Sequence, residues 1–311
     1  MASDAPLSVL VVGAGATGGH FGGRLALAGR QVAFLVRPDR ARQLRRDGLV
    51  LHGPRGVQRI EPVLVTARDP VEPPDLILLA VKAYALGRAV EDLSPAVGPR
   101  TLLLPLLNGM RHVEVLAARF GEDAVLGGVC RVSAALDPDG AVRQHTDEAV
   151  LEYGPCGARE PAGLGRVHAG LRNAGFDALP ADDIRASMWR KWALVAAIGA
   201  VTCLMRGVIG EVVAAPGGRR FAEQVAAECA AVAAACGVPL GAGGLRQVTE
   251  AVTQEGSQRA SSLYRDLLRG GPTEADHIIG DLVVRAEERG VDVPLLRLAH
   301  LHLRVGQRPS G

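Results

Sequence analysis

A lysine at the start of a long uncharged run is the first residue in this chain whose type and position suggest chemistry. Residues 192–205 carry no charged side chain, and Lys191 directly precedes them. Moving an ammonium group out of water without partners is costly, so a lysine in such a helix either has a specific function or lies at its solvated end. At helical spacing, Lys191 shares one face with small and apolar side chains, namely Ile184, Met188, Val195, Ile198 and Thr202.

A glycine-rich turn near the N-terminus indicates a dinucleotide site. The apolar strand pattern of residues 7–12 leads into the turn Gly13-Ala14-Gly15-Ala16-Thr17-Gly18, and a helical pattern follows. Gly13 permits the tight turn, Gly15 lets a pyrophosphate approach the backbone, and Gly18 lets the helix pack on the strand. The free N–H groups at the helix start favour phosphates. The alternative is a glycine-rich turn that binds no ligand.

The end of the second strand indicates which cofactor binds. The strand pattern of residues 31–36 ends in Arg37, Pro38, Asp39 and Arg40. An NAD site commonly has an acidic residue there for the ribose 2′-hydroxyl, whereas an arginine suits a 2′-phosphate. Arg37 therefore predicts NADPH, although Asp39 is close enough to keep NADH open. The alternative is that Arg37 and Arg40 are ordinary surface charges.

Composition excludes several classes of partner. A chain of 311 residues with a net charge of +2 and 3% aromatic residues gives no reason to expect nucleic acid or an acidic membrane. The uncharged run is too short to span a membrane, and no signal peptide pattern precedes the first strand. Five scattered cysteines without a CxxC pair indicate a reduced, cytoplasmic protein, and no residue spacing suggests a metal site. A small molecule is the expected partner. Nothing decides the oligomeric state, and a homodimer is left open.

The pattern of elements changes near residue 183. Before it, strands predicted at 76–81, 101–106, 125–133, 141–145 and 149–153 alternate with helical stretches such as 86–96. After it, only helices are predicted, over 184–206, 218–236, 243–255, 257–268, 273–289 and 295–304. The sequence thus predicts an α/β Rossmann-type domain with a mostly parallel sheet over residues 1–183, followed by an all-α domain over residues 184–311.

Two polar residues follow predicted strands at the edge where open α/β sheets bind ligands. Lys82 comes after the strand that ends at Val81, and Asn108 comes after the next one. Each alone suits an ordinary loop or turn. Together they suggest contacts on the nicotinamide side of the cofactor.

The chain resembles the ketopantoate reductase (2-dehydropantoate 2-reductase) family over essentially its whole length. The motifs that carry the resemblance are Gly13-Ala14-Gly15-Ala16-Thr17-Gly18, Val81-Lys82-Ala83-Tyr84, Leu107-Asn108-Gly109-Met110, Met188-Trp189-Arg190-Lys191-Trp192, and Ala260-Ser261-Ser262-Leu263 followed by Asp266 and Pro272-Thr273-Glu274-Ala275-Asp276. The resemblance implies an NADPH-binding Rossmann domain and a helical domain that closes the cleft.

The resemblance also implies a role for individual residues. By motif, Lys191 matches the catalytic lysine, Glu274 the active-site glutamate and Ser262 a substrate-contacting serine. Asn108 matches the asparagine near nicotinamide and substrate, and Lys82 the strand-end lysine.

The residue types suit those roles. Reduction of a 2-oxo acid places negative charge on the carbonyl oxygen, and a partly desolvated lysine can both stabilise that oxygen and protonate it. Glu274 would anchor the lysine or the substrate. Glu274 and Ser262 each have a plainer explanation. Thr273 suits an N-cap, which would place Glu274 in the first helical turn, and Ser262 suits the start of a helix.

Two positions depart from the family pattern. The family usually has asparagines four and eight residues after the lysine, where this chain has Val195 and Gly199. Valine cannot hydrogen-bond a substrate and glycine leaves room, so we expect a wider, less polar pocket and weaker discrimination for pantoate. The alternatives are a reductase for a bulkier or more apolar 2-oxo acid or ketone, and a catalytically silent NADP(H)-binding regulatory protein. A β-hydroxyacid dehydrogenase working oxidatively fits less well.

Overall fold

The structure is a computed structural model that describes residues 6–54, 56–157 and 159–306. The chain folds as two compact units. The first extends to Leu107 and resumes from His112 to Ile184, and the second comprises Asn108–Arg111 and the chain from Arg185 onwards. The division thus falls one residue from the predicted boundary, but it assigns the segment after Leu107 to the second unit.

The described part of the chain before residue 184 contains strands and helices in alternation. The strands are β1 Ser8–Val12, β2 Gln31–Leu35, β3 Leu49–Gly53, β4 Gly56–Ile60, β5 Val63–Val65, β6 Leu76–Leu79, β7 Leu102–Pro105, β8 Leu126–Leu136, β9 Val142–Pro155 and β10 Asp177–Pro180. The α-helices are α1 Ala16–Leu27, α2 Pro38–Asp47, α3 Leu86–Leu93, α4 Arg111–Phe120 and α5 Leu164–Leu171, and short 3₁₀ turns cover Ala83–Ala85, Ser94–Ala96 and Glu122–Ala124.

The first sheet has the strand order of a Rossmann fold. Its order is β5-β2-β1-β6-β7, and every pairing in it is parallel. The central strands β1, β6 and β7 are nearly uninterrupted apolar runs because helices cover parallel sheets on both faces. The predicted fold class, a Rossmann-type α/β domain, is confirmed.

A second, mixed sheet differs from the expectation of a mostly parallel arrangement. Its order is β10-β9-β3-β4, and β8 pairs antiparallel with β9. The strands predicted at 141–145 and 149–153 are one strand, β9, with an irregularity inside it. Val132 pairs with Ala149 and Ala134 with Gln144, so the polar residues between them leave the ladder without ending the strand. The hairpin of β3 and β4, and the short strands β5 and β10, are absent from the sequence prediction.

Helix α1 packs closely against strands of both sheets because glycines lie at three of the positions where it meets them. A Cβ built at Gly22 would lie 2.8 Å from Val11 Cγ2 in the parallel sheet. A Cβ at Gly19 would lie 2.7 Å from Val142 Cγ2, and one at Gly23 2.9 Å from Leu51 Cδ1, both in the mixed sheet. Interior glycines cost a helix about 1 kcal/mol each. Here that cost is offset by burial of the helix between the sheets.

The described part of the second unit contains helices and no strand. They are α6 Ile184–Met205, α7 Ile209–Ala214, α8 Gly218–Ala235, α9 Gly241–Thr253, α10 Ser262–Leu268, α11 Asp281–Glu288 and α12 Pro294–Gly306, with a π-helical turn at Asp276–Gly280. The prediction misses α7, begins α10 five residues early, and merges the π-helical turn with α11 into one helix over 273–289.

Helix α6 is the long apolar element predicted around Lys191. Its mean hydropathy reaches 1.3 over its most apolar 18 residues, enough by length and composition to cross a membrane, but 67% of that window is buried within the protein. Such burial is typical of a core helix. Its apolar character is therefore explained by packing on nearly all sides.

Candidate functional site

The glycine turn of the first unit has the geometry that a dinucleotide requires. Gly13 has φ +95°, a region that favours glycine, and a Cβ on it would lie 2.9 Å from the Ala80 carbonyl oxygen. A Cβ at Gly18 would overlap the Gly13 carbonyl oxygen. At Gly15, in contrast, a built Cβ meets nothing within 4 Å. Two glycines therefore allow tight packing, and the middle one leaves open space above the backbone.

That open space lies at the start of α1. Gly15 is the N-cap, it provides no side chain to bind the first N–H groups, and Ala16 and Thr17 are half-buried. A helix start whose N–H groups are not capped by a side chain is suited to phosphate. The geometry of the turn formed by Gly13, Gly15, Ala16, Thr17 and Gly18 therefore fits the phosphates of a dinucleotide.

The two arginines after β2 have different environments. Arg37 is exposed and is the N-cap residue of α2, so its side chain is accessible to a ligand. Arg40 is not an ordinary surface charge, because its Nε donates to the Ala14 carbonyl at 3.1 Å and another N–H to the Gly140 carbonyl at 3.0 Å. Arg40 thus braces the glycine turn. The carboxylate of Asp39 accepts a 2.5 Å hydrogen bond from Arg42.

The two residues expected on the nicotinamide side fall in different units. Lys82 is exposed and precedes the 3₁₀ turn Ala83–Ala85 in the first unit. Asn108 is half-buried and is grouped with the second unit. The predicted site residues therefore form two groups, one of Gly13, Gly15, Ala16, Thr17, Gly18, Arg37 and Lys82, and the other of Asn108, Lys191, Val195, Gly199, Ser262 and Glu274.

In the second unit, α6 exposes a small patch in an otherwise buried stretch. Lys191, Leu194 and Val195 are partly exposed and Arg190 is exposed, whereas Trp192, Ala193 and residues 196–203 are buried. The predicted helical face through Met188, Lys191 and Val195 is therefore interrupted by a place where solvent or a ligand reaches the helix.

Gly199 does not leave the room that sequence analysis expects. A Cβ at Gly199 would lie 2.9 Å from Leu263 Cδ1 and 3.8 Å from Ile279 Cδ1. Leu263 on α10 fills the space beside the glycine, and it is itself 2% exposed. The missing asparagine at this position is thus replaced by an apolar contact between two helices. This correction leaves Val195 as the accessible departure from the family pattern.

The start of α10 is fixed on α6 next to that contact. The Ser261 hydroxyl accepts a hydrogen bond from the Tyr264 N–H and shares another, 2.9 Å long, with the Thr202 hydroxyl on α6. Ser261 is thus the N-cap. Ser262 is the first helical residue, is half-buried, and does not act as the cap.

Glu274 lies at the start of the π-helical segment, which is also attached to α6. The indole N–H of Trp192 donates to the Ile278 carbonyl at 2.8 Å. The Glu274 residue is only 7% exposed, and its backbone carbonyl accepts from the Ile278 N–H at 2.9 Å. The Thr273 hydroxyl accepts from the Ala275 N–H at 3.4 Å, as expected of a residue at a helix start. Single-turn π-helices occur often at functional sites.

Two residues near this group were not singled out by the sequence analysis. Leu263 is the neighbour of Ser262 and has no chemistry that would mark it. His277 is 8% exposed and follows Glu274 at helical spacing, which is the signal that could have revealed it. Burial lowers the pKa of His277, Arg111 adds to that effect, and Glu274, Asp281 and a hydrogen bond with the Asn108 backbone oppose it.

Comparisons with known proteins cover both units. The family model described as "Ketopantoate reductase PanE/ApbA" matches residues 9–157, and the one described as "Ketopantoate reductase PanE/ApbA C terminal" matches residues 183–307. The chain is 31% identical to the uncharacterized oxidoreductase YkpB of Bacillus subtilis (strain 168) over 299 residues, which are 96% of this chain and 98% of the relative. It is 31% identical to the 2-dehydropantoate 2-reductase of Archaeoglobus fulgidus over 290 residues, 93% and 94% of the two chains.

A solved structure agrees with this assignment. The PanE/ApbA family ketopantoate reductase from Ralstonia eutropha JMP134 superimposes with a TM-score of 0.87 at 28% identity, covering 97% of this chain and 98% of that one. The relatives are oxidoreductases, and the family uses a nicotinamide nucleotide. This chain is therefore an oxidoreductase and belongs to the ketopantoate reductase family.

Proposed function

We propose that this protein reduces a 2-oxo acid to the 2-hydroxy acid with NADPH, with 2-dehydropantoate as the first candidate substrate and pantothenate biosynthesis as its setting. The observation that carries the proposal is Lys191, a half-buried residue on a core helix, next to the partly exposed Leu194 and Val195 in an otherwise largely buried stretch. A proton donor in partly desolvated surroundings is what carbonyl reduction requires.

The chain's residues would act on the substrate oxygen. Bound NADPH supplies the hydride to the carbonyl carbon. As negative charge develops on the carbonyl oxygen, the Lys191 ammonium stabilises it and donates the proton that completes the alcohol. Such a donor is worth more in a site that excludes water, because the charge is screened less.

The other residues of the second group would hold the substrate. We assign Ser262 and Asn108 to hydrogen bonds with substrate oxygens, and Asn108 also to the nicotinamide side. Glu274 is nearly buried, so a carboxylate there can orient a hydroxyl or ammonium group with little competition from water. Their support is the motif match together with the attachment of both α10 and the π-helical segment to α6.

We assign the cofactor as NADPH because Arg37 is accessible at the end of β2. A guanidinium can bind a 2′-phosphate with two hydrogen bonds. Asp39 could instead hold a ribose hydroxyl of NADH, but its carboxylate accepts a hydrogen bond from Arg42. Lys82 would add a positive charge on the nicotinamide side.

A second candidate is a bulkier or more apolar 2-oxo acid. Val195 is accessible on α6 one turn after the lysine, and Leu263 and Ile279 line the position of the second missing asparagine. Of these side chains only Val195 is accessible, and it offers dispersion contacts and no hydrogen bond to a substrate hydroxyl. The scattered cysteines support a cytoplasmic location, and we propose no nucleic acid or membrane partner.

Steady-state oxidation of NADPH tests both candidates. Purified protein is assayed with 2-dehydropantoate and with 2-oxo acids of increasing apolar side-chain volume. The highest kcat/KM with 2-dehydropantoate supports the first candidate, and an increase of kcat/KM with apolar volume supports the second. Absence of turnover with every acid, in protein that binds NADPH, would overturn the proposal in favour of a silent binding protein.

A further inference from the structure

The turn that carries Asn108 is built around the imidazole of His277. Gly109 has φ +85°, and a Cβ on it would lie 3.1 Å from the His277 carbonyl oxygen, 3.2 Å from its Cδ2 and 3.3 Å from its Nε2. All three distances are shorter than ordinary van der Waals contact for a Cβ, so a side chain at 109 would require the His277 backbone and imidazole to shift by a few tenths of an ångström. Only glycine combines this backbone conformation with so close an approach.

The same imidazole is hydrogen-bonded to the residue before that glycine. His277 contacts the backbone of Asn108 by a hydrogen bond that favours the protonated ring, so a ring N–H donates to the carbonyl. His277 is 8% exposed, and a buried hydrogen bond of this kind is costly to break because the carbonyl would lose its partner. The close contact at Gly109 and the hydrogen bond at Asn108 therefore join His277 to two consecutive residues of this turn.

His277 is also tied to Glu274. Its backbone N–H donates to the Glu274 carbonyl at 3.1 Å, in the turn that leads into the π-helix. The Trp192 indole anchors the same π-helix to α6 through the carbonyl of Ile278, the next residue. One residue thus contacts the segments of two proposed substrate-binding residues, which lie more than 160 positions apart in the chain.

We infer that His277 is a positioning residue that holds the Asn108 turn against the Glu274 segment, and that its loss separates these two substrate contacts. The kinetic part of this inference rests on the proposed function. His277 itself is assigned no contact with the substrate. Charged groups face it from both segments, Glu274 and Asp281 along its own chain and Arg111 beside the Asn108 turn.

The kinetic test compares two substitutions of different chemistry. His277→Phe keeps a ring but removes the donor, and His277→Gln keeps an N–H donor in a smaller side chain. We expect His277→Phe to raise KM for the 2-oxo acid about tenfold with kcat within about threefold of wild type, and His277→Gln to restore most of the loss. A purely structural ring would give the reverse order, with Phe tolerated and Gln not, and that order would overturn the inference.

A second test needs no substrate. Gly109→Ala is compared with Gly121→Ala, because Gly121 has a similar φ of +91° and a Cβ there meets nothing within 4 Å. Both variants have the backbone strain, but only Gly109→Ala meets the imidazole. We expect its folding equilibrium constant, from urea unfolding, to fall at least tenfold further. Combining it with His277→Ala should give less than the product of the separate losses.

The two tests fail in distinguishable ways. Equal losses in the two glycine variants, or strictly multiplicative losses in the double variant, would overturn the contact between Gly109 and His277 as an energetic link. Coupling in that cycle with an unchanged KM in His277→Phe would overturn the positioning role. A wild-type protein that reduces no 2-oxo acid would overturn the proposed function and the positioning role together, while the unfolding cycle still decides the contact.

Discussion

In the first unit the proposed cofactor residues from Gly13 to Gly18 are neighbours along the chain, whereas in the second unit the proposed substrate residues come from four segments, namely the Asn108 turn, α6, α10 and the Glu274 segment. The glycine turn is shaped by contacts of its own residues with each other and with the adjacent strand, as in the overlap of a Gly18 Cβ with the Gly13 carbonyl. Within the second group, Trp192 attaches the π-helical segment to α6, and Thr202 attaches α10 to it. A local motif can thus be recognised by spacing alone, but an assembled group depends on tertiary contacts.

The largest effect is expected at Lys191, where a substitution should affect catalysis and leave cofactor binding unchanged. We expect Lys191→Ala to lower kcat by about 100- to 10,000-fold, the usual contribution of general acid catalysis, and to leave NADPH binding nearly unchanged. The measurement is steady-state kcat together with fluorescence titration of NADPH. A variant that keeps more than a tenth of wild-type kcat would remove Lys191 as the proton donor, and a large loss of NADPH affinity would contradict the separation of the two residue groups.

The buried histidine His20 makes the stability of the first unit depend on pH. Burial, with a contribution from the nearby Arg24 charge, lowers the pKa of His20 from an ordinary 6.5 to about 4. Below pH 6.5 the unfolded chain therefore binds a proton at His20 that the folded protein excludes. The free energy of unfolding is highest above pH 6.5 and falls by about 3 kcal/mol in total as the pH drops to about 4.

The check is the free energy of unfolding, from urea titrations across that pH range, in wild type and in His20→Phe. We expect a shallower pH dependence in the variant, whatever its absolute stability. Equal slopes in the two proteins would show that His20 is not responsible.

The next largest expected effect is on the affinity for NADPH when Arg37 is replaced. Arg37→Ala should weaken NADPH binding by about 1.5–3 kcal/mol, the range for hydrogen bonds to charged groups, and should change NADH binding little. Arg42→Ala is the matched control, because Arg42 lies on the same helix and pairs with Asp39. Isothermal titration calorimetry measures the affinity of each variant for NADPH and for NADH. Equal losses for NADPH and NADH would remove Arg37 from recognition of the 2′-phosphate.

The smallest effect concerns the two departures on α6. Val195→Asn should lower KM for 2-dehydropantoate about two- to tenfold, the value of one hydrogen bond, because position 195 is accessible. Gly199→Asn should instead destabilise the protein, since even a Cβ there meets Leu263 at 2.9 Å. Kinetics and thermal unfolding of the single variants separate the two sites. Unchanged KM in Val195→Asn would exclude position 195 from pantoate recognition.

The sequence predicted the parts of the fold whose patterns are local and missed those that depend on partners. The strands β6 and β7 are continuous apolar runs and β1 and β2 are apolar after their first residue, and the predicted positions of all four agree with the structure to within two residues. In contrast, β4 has mostly exposed or half-buried residues and exists because β3 pairs with it. Residues 145–148 looked like a break because they are polar, yet the flanking pairings with β8 keep β9 continuous.

The site shows the same limit. The spacing of Gly13, Gly15 and Gly18 alone indicated the turn, but Glu274 and Ser262 had plainer explanations and were singled out only by resemblance. No pattern in the sequence could show that Leu263 fills the place beside Gly199, because that contact joins two helices more than 60 residues apart. Sequence reasoning about an empty volume fails where a distant side chain can fill it.

The central claim is hydride transfer from NADPH to the carbonyl carbon of a 2-oxo acid. It is tested most directly by supplying NADPH deuterated at both C4 positions of its dihydronicotinamide ring together with 2-dehydropantoate, and analysing the product by mass spectrometry and NMR. We expect pantoate with one deuterium on C2, formed in equal amount to the NADP⁺ produced, and formed about 100- to 10,000-fold more slowly with Lys191→Ala. Oxidation of NADPH without deuterium in the product, or no oxidation with any 2-oxo acid, would contradict the account.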